Sequence, residues 1–313
     1  MLLPFLIFLG QITVPGVLSG PDPAQMETAP DLGYRPIETG LKLPEGMKLG
    51  APSSVVFDAR GHMIVFNRGE HPLMEFDAHG MFVRAFGEGR YVRPHGMRID
   101  PDGNIWTTDV NGHTVTKMSA AGDVLLTLGT RGQPGNWDEA AGTRLFFEPA
   151  DIAFGPSGDF FVVQGHGRGV GRVLRFDKSG RFLKSWGGKG SAEGQFDQPH
   201  SIVVDRQGLV YVADRENRRV QIFDTDGRFV KSWKFAGLPC GLLVGPDGQL
   251  YLATGFAGQI LRLDANGKAV AAMGQPGKAL GEFGEAHYMA FAPSGDIYVA
   301  DTINAVLHRY MKR

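Results

Sequence analysis

Three histidines of the chain occupy equivalent positions in three similar stretches of sequence. They are His95 in RPHGMRID, His200 in QPHSIVVD and His287 in EAHYMAFA. Three neutral imidazoles on one ion leave a fourth coordination position open, which is typical of catalytic rather than structural zinc. Imidazole also binds copper, iron and nickel. The pattern therefore predicts a metal site with zinc as the expected ion; the alternative is three ordinary core histidines.

Four further residues carry reactive groups and occupy positions of the repeat that are expected to lie close to these histidines. Arg68 in NRGEHP and Arg215 in ADRENRR have guanidinium groups that can hold a carboxylate through forked hydrogen bonds. His166 in VQGHGRG is a candidate general acid or base, because an imidazole titrates near neutral pH. Glu285 lies two residues before His287 and is either an acid–base group or a charge at the entrance. These residues predict a substrate that bears a carboxylate.

Aspartates recur at the end of a strand-like segment in three of the stretches, as Asp109, Asp214 and Asp301. Such recurrence favours a structural role over a catalytic one. An aspartate in this position is expected to accept hydrogen bonds from backbone N–H groups of the neighbouring loop.

The elements that position these residues follow from a repeat of roughly 40 to 50 residues. Each copy opens with a short apolar strand, and a turn with glycine, a second strand and a third strand follow. Alternating β-branched and aromatic residues form half-buried strands, and Asp-Gly and Ser-Gly steps form tight turns. Such sheets bury their faces by stacking radially, so the chain is predicted to be an all-β, six-bladed β-propeller. The six openings begin at Ala51, Arg93, Glu148, Gln198, Leu238 and Glu285.

A propeller explains why the histidines should meet. The inner strand of each blade begins next to the central channel, so equivalent residues of the six inner strands form a ring around the axis. Histidine occupies alternate blades, and three imidazoles are therefore expected to converge on one point. Ser53, Ala150 and Cys240 are candidates for a further ligand, although a lone buried cysteine is more often a small hydrophobic residue. In blade order the ring is Ser53, His95, Ala150, His200, Cys240 and His287.

The sequence pattern divides the 313 residues into three parts. Residues 1–20 resemble a secretory signal peptide, because their apolar core is too short to span a bilayer and small residues follow it. Residues 21–33 are expected to form a linker. Residues 34–313 are expected to form a single propeller, closed by a strand from residues 34–43 and interrupted by a surface excursion at residues 131–146. This organisation predicts a secreted or periplasmic protein without a stable membrane anchor.

Charge and cysteine content exclude several classes of function. The 32 basic and 33 acidic residues nearly cancel, and no basic run could neutralise several phosphates. A nucleic-acid partner is therefore not expected. The single cysteine excludes an internal disulfide and any zinc site built from cysteines alone.

The motifs RPHGMRIDPDGNIWTTDV, QPHSIVVD, VADRENRRVQIFD and FNRGEHP resemble those of the peptidyl-α-hydroxyglycine α-amidating lyases, which are built of NHL repeats. The resemblance covers residues from about 50 to 313. It implies an NHL-type propeller that cleaves a carbinolamide C–N bond to give a primary amide and glyoxylate. It also implies zinc on His95, His200 and His287, a substrate-binding and activating Arg68, and a second site arginine at Arg215. By analogy, a hydroxylating monooxygenase would supply the substrate.

Three residues depart from this family pattern. His166 stands where the family has its catalytic tyrosine, and Glu285 stands where it has a methionine beside the zinc. Tyr288 stands where the family has an aspartate that helps to hold a structural calcium ion, and it offers no carboxylate. The resemblance therefore does not extend to the calcium, and the substrate need not be a peptide.

Three hypotheses about function follow. The first is a metal-dependent lyase that breaks a C–N or C–O bond at a hydroxylated carbon of a small-molecule or peptide-like substrate. The second is a metal-dependent hydrolase or hydratase, which would need the same residues. The third is an NHL propeller that binds a partner without catalysis, because a fold alone does not define a function.

Overall fold

The computed structural model describes residues 22–167 and 169–313 of the chain. The described part contains six four-stranded antiparallel sheets and a short parallel pair, Gln275–Pro276 with Glu282–Phe283. The inner strands of the six sheets contact one another in sequence order, and the first contacts the last. The fold is therefore a closed six-bladed β-propeller, which confirms the prediction.

In the first three blades the strands lie in sequence order from the axis outwards. Blade 1 contains Pro52–Phe57, Met63–Asn67, Leu73–Phe76 and Phe82–Phe86. Blade 2 contains Pro94–Ile99, Ile105–Asp109, Thr114–Met118 and Val124–Leu128. Blade 3 contains Pro149–Phe154, Phe160–Gln164, Arg172–Phe176 and Phe182–Gly187.

The remaining blades follow the same order, except that the last one has an outer strand from the beginning of the chain. Blade 4 contains Pro199–Val204, Val210–Asp214, Arg219–Phe223 and Phe229–Lys234. Blade 5 contains Gly241–Val244, Leu250–Ala253, Ile260–Leu263 and Ala269–Met273. Blade 6 contains Ala286–Phe291, Ile297–Asp301, Val306–Lys312 and Tyr34–Ile37.

The ring is closed by pairing between the two ends of the described chain. Tyr34–Ile37 pairs antiparallel with Val306–Lys312, with Tyr34 opposite Lys312. This pairing confirms the predicted closing strand and shortens it to four residues. The closing strand completes blade 6 with its fourth strand and ties the N-terminal segment to the C-terminal one within one sheet.

The hydrophobic core lies between neighbouring blades rather than at one centre. Val65 and Met74 of blade 1 pack with Tyr298 and Leu307 of blade 6 in one such layer. The apolar faces seen in each sequence repeat are buried in this way, because every sheet is covered by the next. No helix of the described residues is long and apolar enough to cross a membrane.

Two connecting segments pack more closely than the sequence alone indicates. Trp137 and Phe146 of the predicted excursion are buried in the layer between blades 2 and 3. Residues 22–33, predicted as a linker, lie against blade 5. The N–H of Asp22 donates to the Phe256 carbonyl, and the N–H of Leu32 donates to the Ala272 carbonyl. The predicted signal peptide, residues 1–20, lies outside the described residues.

Candidate metal centre

The three ring histidines lie at irregularities of their inner strands. The pairing with the second strand shifts between Pro94 and Met97, between Pro199 and Ser201, and between Ala286 and Met289. A β-bulge bends a strand locally and redirects the side chain at that point. Each bulge contains one of the three histidines, so the local backbone turns each imidazole towards the axis.

The imidazoles of His95, His200 and His287 converge on the axis, as the ring argument predicts. The ring centroid of His95 lies 4.6 Å from that of His200 and 4.8 Å from that of His287. The centroids of His200 and His287 are 4.9 Å apart. All three residues are buried. Three nearly equal separations describe a triangle of imidazoles around one point.

The other three ring positions contribute backbone carbonyls rather than side chains. Nδ1 of His95 contacts the Ala150 carbonyl oxygen at 2.7 Å. The equivalent contacts are His200 with the Cys240 carbonyl at 3.0 Å and His287 with the Ser53 carbonyl at 2.7 Å. Because a carbonyl can only accept, Nδ1 carries the hydrogen in each ring and Nε2 keeps its lone pair. Such outer contacts orient histidine ligands of metals.

The side chains of Ser53, Ala150 and Cys240 are not arranged as metal ligands. The Ser53 hydroxyl donates to the Phe66 carbonyl at 3.2 Å, within its own blade. The Cys240 sulfur lies 3.3 Å from Nε of Arg215, and burial raises the pKa of this thiol to about 12. Ala150 has no ligating group. The ligand set therefore consists of imidazoles.

The residues fit a divalent transition metal. Nε2 of His95 is buried and has no hydrogen-bond partner among the described residues. Burial lowers the pKa values of His95 and His200 well below the usual range and that of His287 to about 4. The rings are therefore neutral at physiological pH, which is the state that binds a metal. A buried lone pair without a donor is costly unless an ion accepts it.

His166 joins this cluster from a glycine-rich loop of blade 3. Its ring centroid lies 4.5 Å from that of His95 and 5.1 Å from that of His200. Burial and the positive charges of Arg93 and Arg215 hold the pKa of His166 well below its usual range. His166, predicted as a general acid or base, therefore lies next to the ring as a fourth neutral imidazole.

Arg68 has a charged end that no carboxylate of the described residues neutralises. Its Nε donates to the Pro94 carbonyl at 3.2 Å, and no salt bridge to it is formed within residues 22–167 and 169–313. Burial and the neighbouring charge of Arg93 lower the pKa of Arg68 to about 10, so it remains a cation at neutral pH. Arg68 is therefore a cation without a paired carboxylate, and its role in binding a substrate stays a prediction.

Arg93 belongs to the same positively charged region, and the sequence analysis missed it. It is half-buried and directly precedes Pro94 and His95. Its position immediately before the histidine motif is the signal that could have identified it.

Arg215 has a different set of partners. Its Nη2 donates to Glu285 at 3.1 Å, its Nη1 donates to Glu216 at 3.2 Å, and its Cζ lies 5.4 Å from the ring centre of Phe256. Burial opposes its charge, but Cys240 and Glu285 raise its pKa above the ordinary value. Arg215 therefore holds Glu285 in place and is less free than Arg68 to bind a substrate.

Glu285 is a buried carboxylate beside the histidine ring. It accepts hydrogen bonds from Arg215 and from the hydroxyl of Thr302. Burial alone would raise its pKa, but His287 and Arg215 outweigh burial and lower it. Glu285 therefore stands as a charged group at the site, consistent with its predicted position. Thr302 was not predicted as part of the site.

The three recurring aspartates fasten the segments that precede the histidines, which confirms their predicted structural role. Asp109 accepts from the N–H groups of Val92 and Arg93, both at 2.7 Å. Asp214 accepts from the N–H of Asp197 at 2.7 Å. Asp301 accepts from the N–H groups of Gly284 at 2.8 Å and Glu285 at 3.1 Å.

The residues below the histidines do not fit a calcium ion. The Tyr288 hydroxyl donates to the His200 carbonyl at 2.7 Å, and the guanidinium carbon of Arg98 lies 5.3 Å from the Tyr288 ring centre. Arg98 forms a forked ion pair with Asp151, at 3.1 and 2.6 Å. Calcium is bound by several oxygen ligands with negative charge. A phenol and a fixed guanidinium provide the opposite, in agreement with the sequence analysis.

Comparison with known proteins agrees with the fold and the repeats. The NHL repeat family matches residues 91–118 and 196–223. The chain is 33% identical over 207 residues to peptidyl-glycine alpha-amidating monooxygenase B of Xenopus laevis, covering 56% of this chain and 23% of that protein. It is 31% identical over 212 residues to peptidyl-alpha-hydroxyglycine alpha-amidating lyase 1 of Drosophila melanogaster, covering 56% of this chain and 38% of that protein. The chain thus spans well under half the length of both relatives.

A solved structure of a streptogramin B lyase superimposes with a TM-score of 0.65 at 15% identity, covering 90% of this chain and 98% of that one. At this identity the likeness concerns the fold alone. The amidating-lyase relatives carry the resemblance in sequence, and the NHL matches contain His95 and His200. The NHL matches and the amidating-lyase relatives together support an NHL-repeat β-propeller of the lyase type.

Proposed function

We propose that the chain is a metal-dependent lyase that breaks a C–N or C–O bond at a hydroxylated carbon. The observation that carries the proposal is the triangle of neutral imidazoles whose Nδ1 atoms are fixed on carbonyls, with the unpaired Arg68 beside it. Relatives of about 30% identity are named as amidating lyases, which supports this class of reaction.

The three histidines, through a bound metal, and Arg68 would bind different groups of the substrate. A metal on His95, His200 and His287 would lower the pKa of a hydroxyl that reaches it and would polarise that oxygen. Arg68 would hold the substrate carboxylate through forked, charge-assisted hydrogen bonds. Two fixed points of attachment orient the bond to be broken, which lowers the entropic part of the barrier.

The proposed reaction needs an acceptor for the hydroxyl proton. The O–H bond breaks and its electrons form a carbonyl, while the electron pair of the C–N or C–O bond leaves with the nitrogen or oxygen, which takes up a proton. No oxidant or reductant is consumed. His166 and Glu285 both stand beside the ring, and the lowered pKa values leave both unprotonated at neutral pH. Either group is placed to take the proton.

The substrate class follows from the same residues. A hydroxylated carbon next to a carboxylate and to an amide nitrogen, as in an α-hydroxyglycine derivative, would match the metal, Arg68 and the bond that breaks. The reaction that supplies such a substrate must hydroxylate that carbon, as a monooxygenase does. Because His166 and Glu285 replace a tyrosine and a methionine of the lyases, the group attached to nitrogen need not be a peptide.

The proposal is tested by metal content and glyoxylate release measured together. We expect about one zinc per wild-type chain and glyoxylate from α-hydroxyhippurate, with both lost in His200→Ala, since removing one of three ligands opens the centre. His79→Ala, in an exposed turn, is the matched control and should keep both.

The other outcomes separate the competing functions. Activity retained in His200→Ala would overturn the metal mechanism. Bound zinc without bond cleavage, but with hydration or hydrolysis of carbonyl compounds, would favour the hydrolase or hydratase hypothesis. Wild-type protein without metal would favour a binding propeller.

A further inference from the structure

His166 lies as close to His95 and His200 as the three predicted ligands lie to one another. Its centroid separations of 4.5 and 5.1 Å from His95 and His200 bracket the 4.6 to 4.9 Å found within the triangle. The ligand atoms of His95, His166 and His200 all lie within 4.8 Å of one another. His287 does not join this group, but its ring centroid lies 4.8 Å from that of His95, so four imidazoles line the axis.

A metal ligand and a proton acceptor are expected at different distances from the other ligands. Two nitrogens bound to one zinc ion at about 2.1 Å each are at most about 4.2 Å apart. A base that takes a proton from an oxygen on the metal must leave room for that oxygen, which adds about 2.6 to 3.2 Å between the oxygen and the base. The ligand atoms of His95, His166 and His200, all within 4.8 Å of one another, fit direct coordination after a small inward movement.

The loop that carries His166 allows such a movement. Gly165, Gly167, Gly169 and Gly171 surround it, whereas the other three histidines stand on inner strands. The loop is nevertheless held near the axis, because the N–H of Gly167 donates to the carboxylate of Glu148.

We infer that His166 is a fourth imidazole ligand of the metal centre. The inference rests on the metal binding of the proposed function and deepens it. Zinc accepts a fifth ligand by expanding its coordination, so a substrate hydroxyl still has a position. The proton acceptor of the proposed reaction is then Glu285, and His166 replaces a family catalytic residue with a metal-binding one.

The inference is tested on cobalt-substituted full-length protein, where the readout is coordination rather than activity. X-ray absorption of the wild type should count four imidazoles. His166→Phe should count three, bind Co²⁺ at least about tenfold more weakly in competition with a chromophoric chelator, and show a changed visible spectrum. His113→Asn is the matched control: Nδ1 of His113 accepts from the N–H of Glu148, so this variant disturbs the residue that holds the His166 loop without removing an imidazole of the cluster.

The outcomes separate this inference from the proposed function. Four imidazoles in the wild type support the inference even if His166→Phe fails to fold. Three imidazoles in the wild type, or unchanged affinity and spectrum in His166→Phe, overturn the inference and leave the three-histidine lyase standing. A wild type that binds neither zinc nor cobalt overturns both.

Discussion

At the scale of single residues, the two predicted arginines differ in what they contact. Arg215 is 2% exposed and forms an ion pair with the buried Glu285, whereas Arg68 donates one hydrogen bond to a carbonyl. A buried carboxylate that loses its only paired cation is strongly destabilising. An arginine with a single neutral acceptor contributes much less to folding. Arg215 is therefore held in an ion pair, whereas Arg68 remains available for the proposed binding of substrate.

This difference predicts that the same substitution mainly lowers stability at Arg215 and mainly raises KM at Arg68. Arg215→Met should lower the free energy of unfolding by about 3–5 kcal/mol, because Glu285 remains buried without its partner. Arg68→Met should lower it by about 1 kcal/mol but should raise KM for a carboxylate substrate. Denaturant unfolding and steady-state kinetics measure the two effects. Equal stability of the two variants would contradict the assignment.

The sequence predicts the identity of the site residues better than their partners. His95, His200 and His287 could be recognised because a repeat places one residue type at one position of alternate blades. The carbonyls of Ala150, Cys240 and Ser53 could not be predicted as partners, because they come from neighbouring blades and depend on how the blades stack. Arg93 was missed because no other blade has an arginine at this opening position of the repeat.

At the scale of elements, each histidine-bearing strand is held by a residue at the end of the second strand of its own blade. This residue is aspartate in blades 2, 4 and 6. In blades 1 and 3 the same contact is made by Asn67 to the N–H of Gly50 and by Gln164 to the N–H of Phe147, both at 3.1 Å. A carboxylate has two acceptor oxygens, whereas an amide side chain has one. The aspartates therefore fix the strands on which the imidazoles depend.

Loss of one aspartate should weaken zinc binding although the three histidines remain unchanged. Asp109 accepts from the N–H groups of Val92, Arg93 and Gly112, so Asp109→Ala leaves two donors unpaired just before His95 and one in the loop after the second strand. We expect about 10- to 100-fold weaker zinc binding, as for other outer contacts of metal ligands. Affinity measured by chelator competition checks this prediction.

A matched control separates a local effect from general loosening. Asp264 accepts from the N–H groups of Asn266 and Lys268 in an outer turn of blade 5, away from the axis. Asp264→Ala should keep the zinc affinity of the wild type. An unchanged affinity in Asp109→Ala would show that the strand is positioned by the sheet alone.

The elements themselves were predictable because their signals are local. Tight turns and alternating residues define each strand, and the missing outer strand of blade 6 defines the closing strand Tyr34–Ile37. The bulges at the ring positions were not predictable, because they result from the approach of six inner strands at the axis. The burial of Trp137 depends in the same way on the packing of two blades.

At the scale of the whole molecule, one guanidinium connects five of the six blades. Arg98 of blade 2 pairs with Asp151 of blade 3 and donates to the Ser201 hydroxyl of blade 4 and to the Leu242 carbonyl of blade 5, at 3.3 and 3.1 Å. It also faces the ring of Tyr288 in blade 6. A bound cation could serve the same purpose, and here a side chain of the chain supplies the positive charge.

This arrangement predicts a propeller whose stability depends on Arg98 and not on calcium. Arg98→Met should lower the free energy of unfolding by about 3–5 kcal/mol, because Asp151 is fully buried and would lose its cation. Arg181→Met, which removes an exposed ion pair with Asp177, should cost less than about 1 kcal/mol. Adding about 1 mM calcium should leave the wild-type transition unchanged, since an ion that binds the folded state would raise it. A calcium-dependent rise, or equal stability of the two variants, would mean that the blades are tied at the axis by something other than this guanidinium.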